Sequence, residues 1–345
     1  MRKTTMKVAV LLVLTVIWLS GCKRAPKEAH RTEFLMDTTI TITAYGSQSE
    51  QAVEAAFAEM RRLADLMNAN DSNSEVALIN KNAGLKPVRV SPETFKLLEM
   101  SLEYSELSNG AFDVTVRPLV ELWGIGKKDK YVPSEDEIQQ VLKLVDYRKI
   151  ILDPQKRTVF LSVPGMGIDL GGVAKGYAAD QAKEVLKKYK VNSALIGAGG
   201  NIWAMGVRPD GQKWRIGIRH PRPETGNQLM AVLPCQDVTV VTSGDYERYF
   251  VRDGMRYHHI FDPRTGRPAN KLISATVVGT NSAEADILST ALFVLGAEQG
   301  QTLIGKLEHA GAVLMTPESQ VFKAGSHLSE LELVYEEGKT SDARR

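Results

Sequence analysis

Asp286 and Thr290 stand four residues apart in Ala283-Glu284-Ala285-Asp286-Ile287-Leu288-Ser289-Thr290-Ala291, with small or apolar neighbours. On a helix that spacing puts both on one face. A carboxylate and a hydroxyl on an otherwise apolar face are oxygen ligands, suited to a hard cation such as Mg²⁺, which keeps several waters and usually binds phosphates as well. A backbone carbonyl near Ala174 would complete the coordination sphere. The bland alternative is an Asp near a helix start that stabilises the dipole, with Thr290 bonding back to a carbonyl.

The second chemical element is His258-His259 on an extended segment, where neighbouring side chains point to opposite faces, so at most one faces a given site. His259 is the candidate general base; the alternative is a strand His that is only hydrogen-bonded. With six His and no Cys or His cluster, a zinc site is disfavoured.

The third is Gly167-Ile168-Asp169-Leu170-Gly171-Gly172-Val173-Ala174-Lys175-Gly176-Tyr177, which reads as a short strand, a glycine hinge and a helix to about Tyr189. A Gly-Gly pair before a helix lets backbone approach a ligand, and the helix start offers N–H groups and a positive dipole end to an anion. Phosphate is the natural guest. The alternative is a glycine turn that only lets strand and helix pack. No G-x-x-x-x-G-K-[ST] runs through it, and Gly197-Ala198-Gly199-Gly200 fails G-x-G-x-x-G, so the common nucleotide folds are disfavoured.

The elements that must hold these groups follow from periodicity and caps. Residues 34–45 alternate Ile40, Ile42 and Ala44 with threonines and predict a half-buried strand. Ser47 and Glu50 form a capping-box pattern before a helix whose face is Val53, Phe57, Met60, Ala64 and Met67. Residues 68–84 are turn-rich, with a short helix over 74–80, and would form a cleft wall. Ser91-Pro92 opens a helix that Asn109-Gly110 closes. A strand is expected at 111–116, a helix from Ser134 to about 145, and a hairpin over 150–161. Further strands fall at 194–196, 202–205, 214–218, 230–233, 238–242, 257–261 and 273–278. Ser282 is the expected N-cap of the helix carrying Asp286 and Thr290, and the charged end from Glu336 is expected to fray.

With 345 residues, 43% hydrophobic and 24% charged, the chain can bury a large core. A net charge of +2, without a basic stripe interleaved with aromatics, argues against nucleic acid as a partner. The Lys127-Lys128-Asp129-Lys130 cluster reads as a solvated loop. Arg2, Lys3 and Lys7 precede an apolar run over 8–19 that ends in Leu19-Ser20-Gly21-Cys22, which resembles a bacterial lipoprotein signal. That resemblance implies cleavage before Cys22, diacylation of that residue as the new N-terminus, and anchoring on an extracytoplasmic or periplasmic membrane face. Lys23 leaves the choice of inner or outer membrane open. Cys235, in an apolar strand, reads as a small buried hydrophobe. The expected division is a signal over 1–21, a tether over 22–32, one domain over 33–333 and a charged tail over 334–345.

Seven stretches taken together resemble the ApbE-type flavin transferases, which attach FMN from FAD to proteins. They are Met36-Asp37-Thr38, Asp71-Ser72-Asn73-Ser74-Glu75, Gly110-Ala111-Phe112-Asp113-Val114-Thr115, Asp169 to Tyr177, Thr242-Ser243-Gly244-Asp245-Tyr246, His259-Ile260-Phe261-Asp262-Pro263-Arg264-Thr265-Gly266-Arg267-Pro268 and Ala285 to Thr290, in family order. The family often has Met-Gly-Thr where this chain has Met36-Asp37-Thr38. The resemblance implies an α+β fold: one large domain with mixed or antiparallel sheets and helices packed around a flavin cleft. It implies FAD as substrate, contacted at Met36, Ala111, Phe112, Asp113, Gly171, Lys175, Tyr177 and Ile260. It also implies Mg²⁺ on Asp286, Thr290 and the Ala174 carbonyl, with His259 assisting an acceptor hydroxyl as AMP leaves. The implied partner is a protein, a membrane redox-complex subunit, bearing D-x-x-[ST]-G-A-[ST]. The chain's own Asp262-Pro263-Arg264-Thr265-Gly266 begins that pattern but Arg267 breaks it, so the acceptor is expected in trans. Two alternatives keep the site: an FAD pyrophosphatase that gives water the attacking role, and a non-enzymatic flavin-binding lipoprotein.

Overall fold

The computed structural model describes residues 27–126, 130–223, 228–336 and 339–340. The signal, with Cys22, and Lys127 to Asp129 lie outside them.

β1 (Glu28–Leu35) and β2 (Thr38–Tyr45) open the chain as a hairpin. Its two-residue loop is Met36-Asp37, both with left-handed φ of 54° and 58°, as the tightest hairpin turns require. The expected single strand over 34–45 is thus two strands, and the tether expected over 22–32 is strand from Glu28 onward. β1 was hard to read because it is a polar edge: only Ala29 is buried, while Glu33 is clasped by both Nη1 contacts of Arg61 at 2.7 and 2.8 Å.

α1 (Ser49–Met67) buries Val53, Phe57, Met60, Leu63 and Met67. The Ser47–Glu50 capping box is absent: the helix starts a residue later, with Gln48 at the N-cap, and the Ser49 hydroxyl instead donates to the Lys27 carbonyl at 3.0 Å. α2 (Glu75–Lys81), capped by Ser74, β3 (Val88–Arg89) and α3 (Pro92–Leu107), capped by Ser91, follow. The strand expected at 111–116 is instead a 3-10 turn over Val114–Val116, because the Asp113 carboxylate accepts from the Thr115 N–H at 2.7 Å and caps it. Beyond α4 (Arg117–Trp123), α5 (Glu135–Leu142) carries the predicted Ser134–Glu137 capping box but ends before residue 145. β4 (Ile150–Asp153) and β5 (Thr158–Leu161) form the predicted hairpin, joined by β3.

After α6 (Ala174–Lys188) come β6 (Ser193–Ala198), β7 (Asn201–Met205), β8 (Trp214–Arg219), β9 (Leu229–Cys235) and β10 (Val238–Gly244). The strand expected over 257–261 is broken at His259: β11 (Tyr249–Arg252) pairs with β12 (Met255–His258), and β13 (Phe261–Asp262) with β14 (Arg267–Pro268). β15 (Ser274–Gly279) leads to α7 (Ser282–Leu295), capped by Asn281 rather than Ser282, and then to α8 (Ala297–Ile304). β16 (Gly311–Met315), β17 (Val321–Gly325) and β18 (Glu332–Leu333) complete the domain. The end is not wholly frayed, since Tyr335–Glu336 pairs with Lys339–Thr340.

Eight strands form one antiparallel sheet in the order β1-β2-β6-β7-β10-β15-β16-β17. α1, α6, α7 and α8 cover one face. β8, β9 and β18 close over the other, burying Ile216, Leu233, Val278 and Val313 together. With both faces covered, all six residues of β15 are buried. The domain is α+β. Among the described residues no helix is long and apolar enough to cross a membrane.

Candidate active site

The glycine segment is extended before the helix but pairs with no strand. Its backbone is held by side chains instead. Ile168 donates its N–H to Asn80 Oδ1 at 2.7 Å and accepts from Asn80 Nδ2 at 2.9 Å, while Asp169 N–H donates to the Val114 carbonyl. Asp169 Oδ1 accepts from the Gly171 N–H at 2.8 Å, and Arg117 lies 3.5 Å from Asp169 Oδ2. The α2 region predicted as a cleft wall therefore supplies Asn80, which fixes the bend. Sequence gave no sign of this, because a helical Asn reads as an ordinary solvated residue.

α6 then crosses α7 at close range. A Cβ on Gly176 would stand 2.1 Å from the Ser282 carbonyl oxygen, so only glycine fits there. The crossing brings the two predicted regions together. Asp286 is 4% exposed, and its Oδ2 accepts from the Gly176 N–H at 3.0 Å and lies 3.6 Å from Lys175 Nζ. Lys175 also donates to the Gly171 carbonyl at 2.7 Å, closing the bend over the carboxylate. Thr290 faces the same place: a Cβ on Gly172 would be 3.5 Å from its Oγ1 and 3.1 Å from the Phe112 ring. Ser243 Oγ lies 3.4 Å from Thr290 Oγ1 and 2.8 Å from Ser289 Oγ, which donates to the Asp286 carbonyl. Ser243 is a hydroxyl the spacing argument missed, because its partner lies across the sheet–helix interface.

Among the described residues no three His, Cys, Asp or Glu side chains gather as a ligand set. A cation here would need oxygen from other groups. The oxygen groups on offer are the Asp286 carboxylate and Thr290 hydroxyl, one turn apart on α7, and the Ala174 carbonyl at the start of α6, all of the kind a hard divalent ion takes. Both polar contacts of the buried carboxylate fall on Oδ2.

The two histidines separate as alternation predicts. His258 is buried; Nε2 lies 2.6 Å from the Ala269 carbonyl, Nδ1 accepts from the Ile260 N–H, and the ring meets Phe293 edge-on. That fixes the proton on Nε2 and gives the ring a structural role. His259 is half-buried, with Nδ1 3.3 Å from the Arg248 carbonyl. A carbonyl only accepts, so Nδ1 carries the proton and Nε2 keeps its lone pair. Burial first, then the neighbouring Arg248 charge, pushes His259 down to about 3, with Lys175 a further positive neighbour.

The remaining predicted contacts fall in three groups. Phe112 and Tyr177 are buried in the core around the bend, and Met36 packs against that core from the hairpin turn. Ala111 and Ile260 share the adjoining core beneath α7. Asp113 turns inward: Oδ2 accepts from the Tyr147 N–H at 2.9 Å, and burial pushes its carboxyl up, so its role in these contacts is to shape the turn. A surface depression of about 610 Å³ lined by Ala297, Glu298, Gln301, Thr302 and Phe322 shares no residue with this group.

Residues 36–314 match the ApbE family model. An FAD:protein FMN transferase of Klebsiella pneumoniae (strain 342) is 39% identical over 283 residues, covering 82% of this chain and 87% of that protein. One of Treponema pallidum (strain Nichols) is 35% identical over 334 residues, covering 91% and 92%. Among solved structures, the ApbE protein of Thermotoga maritima superposes with a TM-score of 0.80 at 32% identity, covering 86% of this chain and 97% of that one. The flavin transferase ApbE of Vibrio cholerae gives 0.78 at 28%, covering 88% and 98%. Likeness of sequence and of architecture run together over nearly the whole described chain, and the chain belongs to the ApbE family.

Proposed function

We propose that the chain is an FAD:protein FMN transferase that moves FMN from FAD to a Ser or Thr hydroxyl of an acceptor protein and releases AMP. The activity rests on the curated relatives, two of which carry that name at 39% and 35% identity. The observation that carries the chemistry is the Asp286 carboxylate, buried and held by the Gly176 N–H at the mouth of the glycine bend.

Asp286, Thr290 and the Ala174 carbonyl would hold Mg²⁺, which would supply positive charge to neutralise the pyrophosphate and polarise the phosphorus. Lys175 and the start of α6 add positive potential for the same anion. Nε2 of His259 accepts the proton of the acceptor hydroxyl as its oxygen forms the new bond to the FMN phosphorus and the bond to the AMP phosphate breaks. Met36, Ala111, Phe112, Asp113, Gly171, Tyr177 and Ile260 belong to the flavin side of the site, by contact or by shaping it. The acceptor carries D-x-x-[ST]-G-A-[ST], and Cys22 anchors the enzyme by acyl chains to an extracytoplasmic membrane face, beside a membrane redox complex.

The test is to incubate the protein with FAD, Mg²⁺ and an acceptor bearing that motif, then denature the mixture. Flavin fluorescence on the acceptor band with equimolar AMP supports transfer. FMN and AMP free in solution, with an unlabelled acceptor, would make the chain an FAD pyrophosphatase instead, and intact FAD would make it a flavin-binding protein.

A further inference from the structure

Two links join α6 to α7, and they are spaced alike on both helices. Gly176 and Asp180 are one turn apart on α6; Ser282 and Asp286 are one turn apart on α7, running the other way. The first link is the Gly176 N–H on Asp286 Oδ2. The second is the Asp180 carboxylate on the opening N–H groups of α7: Oδ2 accepts from Ser282 at 2.9 Å and from Ala283 at 3.0 Å. Oδ1 accepts from Trp203 Nε1 at 2.8 Å, which ties the same carboxylate to β7. An acidic group at a helix start is ordinary, but this one comes from another helix. Asn281, the N-cap of α7 itself, already takes the Glu284 N–H at 3.0 Å.

The consequence is one of register. Without the Asp180 link, the polar contacts of α7 with α6 are those of Gly176 and Lys175 with the single oxygen Asp286 Oδ2, and a hold at one point leaves rotation about it to be resisted by packing alone. With it, the angular position of α7 about its axis is set at two points, and that position decides where Asp286 and Thr290 stand relative to the Ala174 carbonyl. We propose that Asp180 is a positioning residue that locks α7 in register on α6 and so sets the affinity of the Asp286–Thr290 pair for a divalent cation. The proposal rests on the cation reading given above.

Mn²⁺ is the probe, titrated into the full chain with and without FAD and followed by its paramagnetic resonance signal. Asp180→Asn keeps the volume of the side chain but turns an amide towards the N–H donors. It is expected to weaken Mn²⁺ binding by about tenfold or more, the range for residues that orient metal ligands. Asn281→Ala removes the ordinary cap of the same helix end but leaves the link to α6, so it is expected to lower the melting temperature while holding Mn²⁺ affinity within about twofold. Unchanged Mn²⁺ affinity in Asp180→Asn overturns the proposal, and so does equal weakening in both variants, which would mean that fraying of α7 is the whole effect. Wild-type protein that fails to bind Mn²⁺ at all overturns the cation site itself, and the proposal with it.

Discussion

The N–H of Gly176 donates to Oδ2 of Asp286 at 3.0 Å, joining the first turn of α6 to a buried carboxylate on α7. The two residues are 110 positions apart in sequence. Because Lys175 sits 3.6 Å from the same oxygen and also holds the Gly171 carbonyl, the glycine bend and the carboxylate form one unit rather than two neighbouring features.

Asp286→Ala leaves the Gly176 N–H without its acceptor and removes the only carboxylate proposed for the cation. FMN transfer is expected to fall by at least about a hundredfold, roughly 2.7 kcal/mol of transition-state stabilisation, measured as kcat/KM at saturating Mg²⁺. Activity within about twofold of wild type would remove Asp286 from the site.

Gly176→Ala must push the Ser282 carbonyl away, because the new Cβ would otherwise stand 2.1 Å from that oxygen. Overpacking of this kind costs about 1–3 kcal/mol. Urea unfolding is expected to show a lowered midpoint at unchanged slope, together with weaker transfer activity, since α6 and α7 part at the site.

The two histidines should respond differently. His258→Asn loses the bond to the Ala269 carbonyl and the contact with Phe293, so it lowers stability by about 1–3 kcal/mol. At pH 7 and above, His259→Asn should leave the melting temperature nearly unchanged and lower kcat. The expected loss is about a hundredfold or more, the usual contribution of a general base. A rate that stays unchanged across pH in His259→Asn would dismiss it as the proton acceptor.

Acid should separate His259 in another way. Its ring is pushed down to about 3 in the fold, against about 6.5 in the unfolded chain. The unfolded state therefore binds more protons below pH 6.5, and this contribution to stability is complete above that value and is lost as pH falls towards 3. Asp113 and Asp180, whose carboxyls burial pushes up, tilt the profile the opposite way. Only a comparison isolates the imidazole: between pH 6.5 and 4, stability in His259→Asn should fall less steeply than in wild type, and parallel curves would refute the assigned shift.

How far the sequence could be read depends on where each element's bonds go. Helices that supply their own caps were legible, as with Ser74, Ser91 and Ser134. So were alternating strands with one apolar face, such as β2. β1 was not, because as an edge strand it buries only Ala29 and is held by ion pairs to α1. The stretch before Gly171 has the apolar content of a strand, yet its partner is the Asn80 side chain, which no periodicity reveals. At the site, the i,i+4 spacing of Asp286 and Thr290 was visible within one helix. Ser243 and Asp180 were not, since each acts across an interface between elements distant in sequence. Cys235 behaved as its surroundings predicted: it is buried, and its thiol is pushed up to about 11.

The most direct measurement of the central claim is the intact mass of a motif-bearing acceptor after incubation with FAD and the enzyme, with Mg²⁺ present or chelated. The account predicts one added FMN on the acceptor with Mg²⁺, none after chelation, and none with Asp286→Ala under either condition. An acceptor modified equally well by the chelated enzyme or by Asp286→Ala would contradict it.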